Sequence, residues 1–301
     1  FKAAGQGIVT SSHRMGYGLS RVERWLGRSW TWIAVMAVIL AVLAGIGEMM
    51  HGDVEPGTGS AGFPLLSARL GVPLLGMIAA WRTRQARTAF ALGLSVAVVE
   101  LILAVQLLAG FQAHVPEMQF VERFEVLPWL GIHLGVDGLS VLFLPLTALL
   151  TLFVILYAQS HRQERSGAFV GSVLALEAAL VGMFTALNLL QFWLFALAEA
   201  IPATVLIACY GTSPGRNRAA WQFVRSMLGG LAMLLAGIVL LGWNHASGAD
   251  GVWSFDLPAL LATPVPEGRQ SLIFILLFAG LAVRLALFPL HAWLPIVAKH
   301  G

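Results

Sequence analysis

Long apolar runs separated by short polar stretches set out the plan of this chain. Runs of about twenty residues recur at about 30–50, 64–81, 88–110, 139–158, 167–187, 189–211 and 219–243, and an eighth begins at Ser271. At a helical rise of about 1.5 Å per residue, each complete run is long enough to cross the roughly 30 Å hydrocarbon core of a bilayer. The interruptions carry turn chemistry. A Gly/Pro/acid loop covers 51–57, Asn188 marks a tight turn between the fifth and sixth runs, and Ser213-Pro214-Gly215 precedes the seventh. The longer stretch 111–138 is polar with alternating apolar positions, which predicts a short hairpin. Between Met15 and Leu26 the pattern predicts an amphipathic helix lying in the membrane interface. The expected fold class is therefore an all-α integral membrane protein with about eight transmembrane helices.

Composition agrees with the pattern. Of 301 residues, 58% are hydrophobic and 11% charged, whereas a soluble domain carries about one quarter charged residues. The single cysteine, Cys209, sits in an apolar run, so no disulfide framework and no cysteine metal site is predicted. With no cysteine cluster and no Gly-rich nucleotide loop, no redox centre is expected in this chain. The sequence begins at Phe1, and 1–28 shows no cleavable signal pattern.

The net charge of +3 has a topological meaning and does not point to nucleic acid. With the N-terminus inside, inner segments hold Lys2, Arg14, Arg21, Arg24, Arg28, Arg82, Arg84, Arg87, Arg162, Arg165, Arg216, Arg218 and Lys299. Outer segments hold only Arg123 and Arg269. This is the bias the positive-inside rule requires of alternating spans. The acids Asp53, Glu55, Glu117, Glu122, Glu125, Asp250, Asp256 and Glu267 all fall outside.

Charges within the spans are the candidate chemistry, because an ionisable group in hydrocarbon costs roughly 2.5–3.5 kcal/mol on insertion scales and marks pathways. Glu48 lies at a span end. Arg69 lies near the start of its span and is expected to snorkel to the interface. Glu100 stands mid-span with no evident partner. Glu177, Glu199, Arg225 and Arg284 lie deep in successive spans with signs that pair. The bland alternative is a set of ion pairs holding a bundle together. Arg284 is followed by Pro289, His291, Trp293 and Pro295, which predicts a broken membrane helix. His291 reads either as a proton-transfer group, with an ordinary pKa of about 6.5, or as a hydrogen-bonded interfacial histidine. Gly229, Gly230 and Gly237 predict close helix packing. Trp30, Trp32, Trp81, Trp243 and Trp293 read as interfacial anchors.

Several of these stretches carry a resemblance. Leu134-Gly135-Val136-Asp137-Gly138-Leu139-Ser140 and Phe288-Pro289-Leu290-His291-Ala292-Trp293-Leu294-Pro295 resemble motifs of the proton-translocating antiporter-like subunits of respiratory complex I. Gly251-Val252-Trp253-Ser254-Phe255 and Leu260-Leu261-Ala262-Thr263-Pro264 resemble the corresponding loop of the chain M type. The resemblance covers roughly 63–295. Residues 1–50 are faintly similar to the C-terminal tail of the neighbouring chain L type, so the expected division is 1–62, a basic segment plus an extra transmembrane helix, and 63–301, a chain M-like domain.

The resemblance implies the first inverted repeat of an antiporter-like fold with a broken helix near the midplane, the second repeat being absent from these residues. It implies a membrane-arm subunit of a complex I-like NADH:quinone oxidoreductase, with NADH, FMN, iron–sulfur clusters and quinone on partner subunits. The partners would be other membrane-arm subunits, the lipid bilayer and protons, and the place a bacterial inner membrane with the N-terminus cytoplasmic. The implied proton pathway is Glu177, Glu199, Arg225, Arg284 and His291, on a helix broken at Pro289 and Pro295. The family's relay departs here at each position. Its glutamate falls on Leu197, and Glu199, about 200° further round the helix, is expected to face away. Its first lysine falls on Trp221, four residues before Arg225, and its second on Arg284. Lysine can release a proton when buried, whereas arginine effectively cannot. The rival readings are a non-conducting scaffold, or an antiporter-like partner in a cation/proton exchanger or inorganic-carbon uptake complex.

Overall fold

A bundle whose helices meet lipid on one side gains little from burying leucine against leucine, so it must be held by close packing and by its turns. The computed structural model describes residues 64–115, 117–127, 130–160, 166–248 and 251–300. The expected N-terminal region, with Glu48, Trp30 and Trp32, and the charged turn 161–165 lie outside the described residues. The order is α1 (Leu65–Arg82), α2 (Ala86–Gly110), β1 (Gln119–Leu127), β2 (Leu130–Val136), α3 (Ser140–Ser160), α4 (Ser166–Thr185) and α5 (Leu189–Tyr210). It continues with α6 (Arg216–Gly248), α7 (Leu257–Ala262), α8 (Glu267–Arg284) and α9 (Trp293–His300). Helices α1 to α6 are each long and apolar enough to cross a membrane. This bears out an integral membrane protein built of helices.

Helix α4 is the hub. Its Val170, Val173 and Leu174 pack with Phe90, Val96 and Ala97 of α2 and Ile155 of α3. Nearer the other end, its Val181 joins Leu66, Leu107, Leu134 and Leu144. A second core lies between α5 and α6, where Ala196 meets Leu231, Leu234 and Ile238, with Leu197 packed against them.

The predicted hairpin forms, as the antiparallel pair β1–β2 with Arg123 opposite His133. A lone two-stranded hairpin is marginal in water, and this one is fixed by docking. Glu122 reaches the start of α1, where its carboxylate accepts from the Leu66 N–H at 2.7 Å and the Ser67 N–H at 2.9 Å. Pro64, the residue before α1, offers no side-chain cap, so β1 supplies the cap that the helix start lacks. Beyond β2, the Leu187 N–H donates to the His133 carbonyl at 2.9 Å, and the Leu257 N–H to the Leu187 carbonyl at 2.8 Å. Asn188 caps α5 by accepting from the N–H groups of Leu190 and Gln191, and its amide donates to Asp256 at 2.9 Å. The hairpin, the 186–188 turn and the segment around Asp256 are thus tied together at one end of the bundle.

Helices α6 and α8 touch through glycine, as expected for Gly230 and Gly237. A Cβ on Gly230 would sit 2.8 Å from Val283 Cβ, and one on Gly280 would sit 2.8 Å from the Gly230 carbonyl oxygen. Gly229 faces open space and takes no part in this contact.

Helix α8 ends earlier than its prolines require. Ala286 takes the left-handed conformation at φ 49°. The Leu287 N–H returns to the Ala282 carbonyl at 2.9 Å and the Ala286 N–H to the Val283 carbonyl at 3.2 Å. This is a Schellman ending with alanine where glycine is usual. Pro289 lies in the non-helical 285–292 segment, but Pro295 is the third residue of α9, where the missing N–H costs nothing. The break is therefore set at Ala286, with Pro295 belonging to the next helix start. Trp293 also departs from expectation. It is buried, with its ring edge-on to Phe223 at 5.5 Å between centroids and its indole N–H donating to the Val283 carbonyl at 2.9 Å. It satisfies the end of α8 and is no interfacial anchor. Trp81 and Trp243 are both about half exposed, and Arg269 stacks over the Trp243 ring at 4.5 Å.

Candidate functional site: buried charges of the bundle

The end of α8 delivers Arg284 to the middle of α5. A cation in the last helical turn is favoured by the carbonyl ends exposed there. From this point the guanidinium donates to Glu199 Oε2 at 2.7 Å, to the Ala196 carbonyl at 3.2 Å and to Met183 Sδ at 3.4 Å. Ala196 and Glu199 are three residues apart, hence neighbours on one helix face. The side chains are 12% and 17% exposed. The rotation argument holds for Leu197, which packs toward α6. It fails as a reason to remove Glu199, because Arg284 approaches α5 on the Ala196 side.

The second pair was missed in the sequence. Arg69 does not snorkel. Its Nε lies 3.3 Å from Glu100 Oε2, with both side chains 0% exposed, and its Nη2 donates to the Leu144 carbonyl at 3.4 Å. Glu100 is thus not without a partner. The available signal was the opposite sign of two charges in consecutive spans, which the closeness of Arg69 to a span end obscured.

Glu177 of α4 is buried, and neither carboxyl oxygen has a hydrogen-bond partner among the described residues. It lies on α4 between Leu174, which packs with Val96 and Ala97 of α2, and Val181, which packs with Leu66 of α1 and Leu107 of α2, the stretch of the bundle that holds Arg69 and Glu100. It belongs with the Arg69–Glu100 pair. No described contact joins it to Arg284.

Arg225 stands on the exposed side of α6 and donates to Gln222 at 2.8 Å. Among the described residues it has no acidic partner, so Arg225 takes no part in the pairing expected among the four in-span charges. His291 lies in the non-helical segment after α8 with its ring 5.6 Å from that of Phe288. Its Nδ1 is shielded and unpartnered among the described residues. No group of histidine, cysteine and acidic side chains suited to a metal ion occurs among the described residues.

Residues 186–300, from the turn that docks the hairpin through the end of α9, match a family described as NADH:quinone oxidoreductase/Mrp antiporter, transmembrane. Over these residues the chain belongs to this antiporter family. It is 35% identical over 214 residues to NADH-quinone oxidoreductase subunit M of Rhodobacter capsulatus, covering 69% of this chain and 42% of that protein. A chain of respiratory complex I from Thermus thermophilus with bound NADH superposes with a TM-score of 0.68 at 29% identity, over 78% of this chain and 47% of that one. A chain of the Mrp complex from a Dietzia species shares the fold, with a TM-score of 0.64 at 22% identity over 78% and 43%. Within the antiporter family the likeness is to the M subunit of complex I, and the chain spans about half the length of the curated relatives it matches. Glu199, Arg225, Arg284 and His291 fall inside the family match, whereas Arg69, Glu100 and Glu177 precede it.

Proposed function

We propose that this chain is a membrane-arm subunit of a complex I-like NADH:quinone oxidoreductase and contributes a proton-translocating half-channel with an altered charge relay. The observation that carries this reading is the Arg284–Glu199 pair, 2.7 Å apart where α8 ends. Arginine keeps its proton, so the pair opens only when Glu199 takes one up. A proton arriving on Glu199 cancels the attraction and frees Arg284 to swing toward another negative group. Its departure pulls Arg284 back. Arg225 adds a fixed positive field, and Glu177 and His291 are the groups able to hold protons on either side.

In this reading 267–295 is one broken membrane helix, the eighth crossing once 30–50 is counted, and 1–62 is an appended basic segment with its own span. The N-terminus is cytoplasmic, the membrane is a bacterial inner membrane, and the chain lies among other membrane-arm subunits. NADH, FMN, iron–sulfur clusters and quinone sit on those partners. The test is proton uptake into vesicles carrying the whole assembly, measured per NADH oxidised. Glu199→Gln is expected to lower the yield at least several-fold, and pumping at full yield would sink the reading.

The two arginines favour a second reading, a non-conducting scaffold, since neither can be a protonation station. Arg284→Leu separates the two. Unchanged pumping with poor assembly supports the scaffold, whereas intact assembly with lost pumping supports the half-channel. The family also includes antiporters, so an antiporter-like partner in a cation/proton exchanger is the remaining alternative, tested by sodium-driven proton movement without NADH.

A further inference from the structure

The cluster on the α1–α4 side has a charge count that does not balance. Arg69 contributes one positive charge, and Glu100 and Glu177 two carboxyl groups, with all three side chains at most 1% exposed. They come from three helices. Glu100 lies about 15 Å along α2 from Gly110, and Glu177 about 16 Å along α4 from Ser166, so both are deep in the membrane. Arg69 engages Glu100 directly through Nε at 3.3 Å. Its Nε and Nη1, and both oxygens of Glu100 and of Glu177, have no hydrogen-bond partner among the described residues, so Arg69 and Glu100 meet as an ion pair without a hydrogen bond. An arginine cannot release its proton, and one guanidinium neutralises one carboxylate. A second bare carboxylate in a water-excluded, low-dielectric interior is not tolerated, and paired carboxyl groups in such sites share a proton.

We propose that Arg69, Glu100 and Glu177 form a second buried proton site, separate from the Arg284–Glu199 pair, which holds one exchangeable proton between the two carboxyl groups. The balance closes with it: one guanidinium, one carboxylate and one carboxylic acid sum to zero. The proton passes from the acid on one glutamate to the carboxylate of the other, and Arg69 follows the negative charge from Glu100 to Glu177 with its free Nη1. No net charge appears in the bilayer at any step.

This inference concerns the occupancy of the cluster and stands whether or not the assembly pumps protons. The site is read by infrared spectroscopy on the full chain in its assembly in lipid, following the carbonyl stretch of protonated carboxyl groups in water and after transfer to heavy water. One such band that shifts on deuteration is expected. It should disappear in Glu177→Gln and in Glu100→Gln alike, since one guanidinium and one carboxylate then balance without a proton, and persist unchanged in Glu199→Gln. Arg69→Met should raise it about twofold, since without the guanidinium both carboxyls must be protonated. A band unchanged in both Glu177→Gln and Glu100→Gln, or one that never exchanges with deuterium, overturns the proposal. If Glu177→Gln does not assemble, Glu100→Gln alone decides by whether the band disappears. Loss of pumping in Glu199→Gln with this band intact, or the reverse, tells the failure of one reading from that of the other.

Discussion

On the α1–α4 side the charges Arg69, Glu100 and Glu177 are sealed on three helices with no measurable exposure of the Arg69–Glu100 pair. On the α5–α8 side Arg284 and Glu199 keep 12% and 17% of their side chains exposed, and Arg225 stands open on α6. Partnering also differs. Arg284 finds a carboxylate, a carbonyl and a thioether, whereas in the sealed cluster Arg69 Nε and Nη1 and all four oxygens of Glu100 and Glu177 have no hydrogen-bond partner among the described residues. Charge at an open flank can be relieved by water, by lipid headgroups or by a neighbouring subunit. Charge in the centre of a bundle has to be neutral as built, because nothing else reaches it. The sealed cluster is therefore the place where removing one group is expected to hurt most.

Arg69→Leu tests that difference with the largest expected effect. Removing one partner of a fully buried pair leaves an uncompensated carboxyl group and costs about 3–5 kcal/mol, read as a lower thermal midpoint of the purified chain in detergent. The double variant Arg69→Leu/Glu100→Leu should recover most of that loss, since replacing both partners by apolar groups is often close to neutral. Arg284→Leu should cost clearly less, because Glu199 retains some exposure. An equal loss for Arg284→Leu would break the comparison.

Trp293→Phe has the next largest effect and bears on how the open side is braced. The ring volume against Phe223 is largely kept, but the Val283 carbonyl loses the indole N–H. Leaving a buried acceptor without its donor costs about 1–3 kcal/mol. If the melting midpoint is unchanged, the end of α8 is held by its own backbone bonds alone.

How much of this was legible depends on what each feature leaves in the sequence. A span leaves twenty apolar letters, so α1 to α6 were found within a few residues. The hairpin left an alternation, and Asn188 a turn residue between two apolar runs. The partners of charges leave nothing local. Position along its own span makes Arg69 read as a snorkelling side chain, while its burial is decided by α2 and α4. Rotation about α5 alone turns Glu199 away, while its partner comes from the end of α8. Glu122, an acid in a loop by its letter, is the missing cap of α1, and only the docking of the hairpin reveals it. The proline-rich motif points to Pro289 and Pro295 as what ends α8, whereas the left-handed Ala286 ends it before either proline.

That cause gives the smallest effect, with the opposite sign. An L-residue in the left-handed region costs roughly 1–2 kcal/mol, and glycine removes the cost while adding unfolded-state entropy worth about 0.5–1 kcal/mol. Ala286→Gly is therefore expected to stabilise the chain by about 0.5–1 kcal/mol, and Ala286→Val to destabilise it by more, since a β-branched residue fits this conformation worst. Both are read as shifts of the melting midpoint in opposite directions, with Arg284→Leu as the reference for damage at the same helix end. Gly should leave the Arg284–Glu199 pair in place, because the Leu287–Ala282 and Ala286–Val283 backbone bonds that close α8 involve no side chain. If Ala286→Gly instead lowers the midpoint, the helix end needs the alanine methyl group against Phe223 and Met227 of α6 more than it needs relief of the backbone. The open side would then be held by side-chain packing, as the sealed side is.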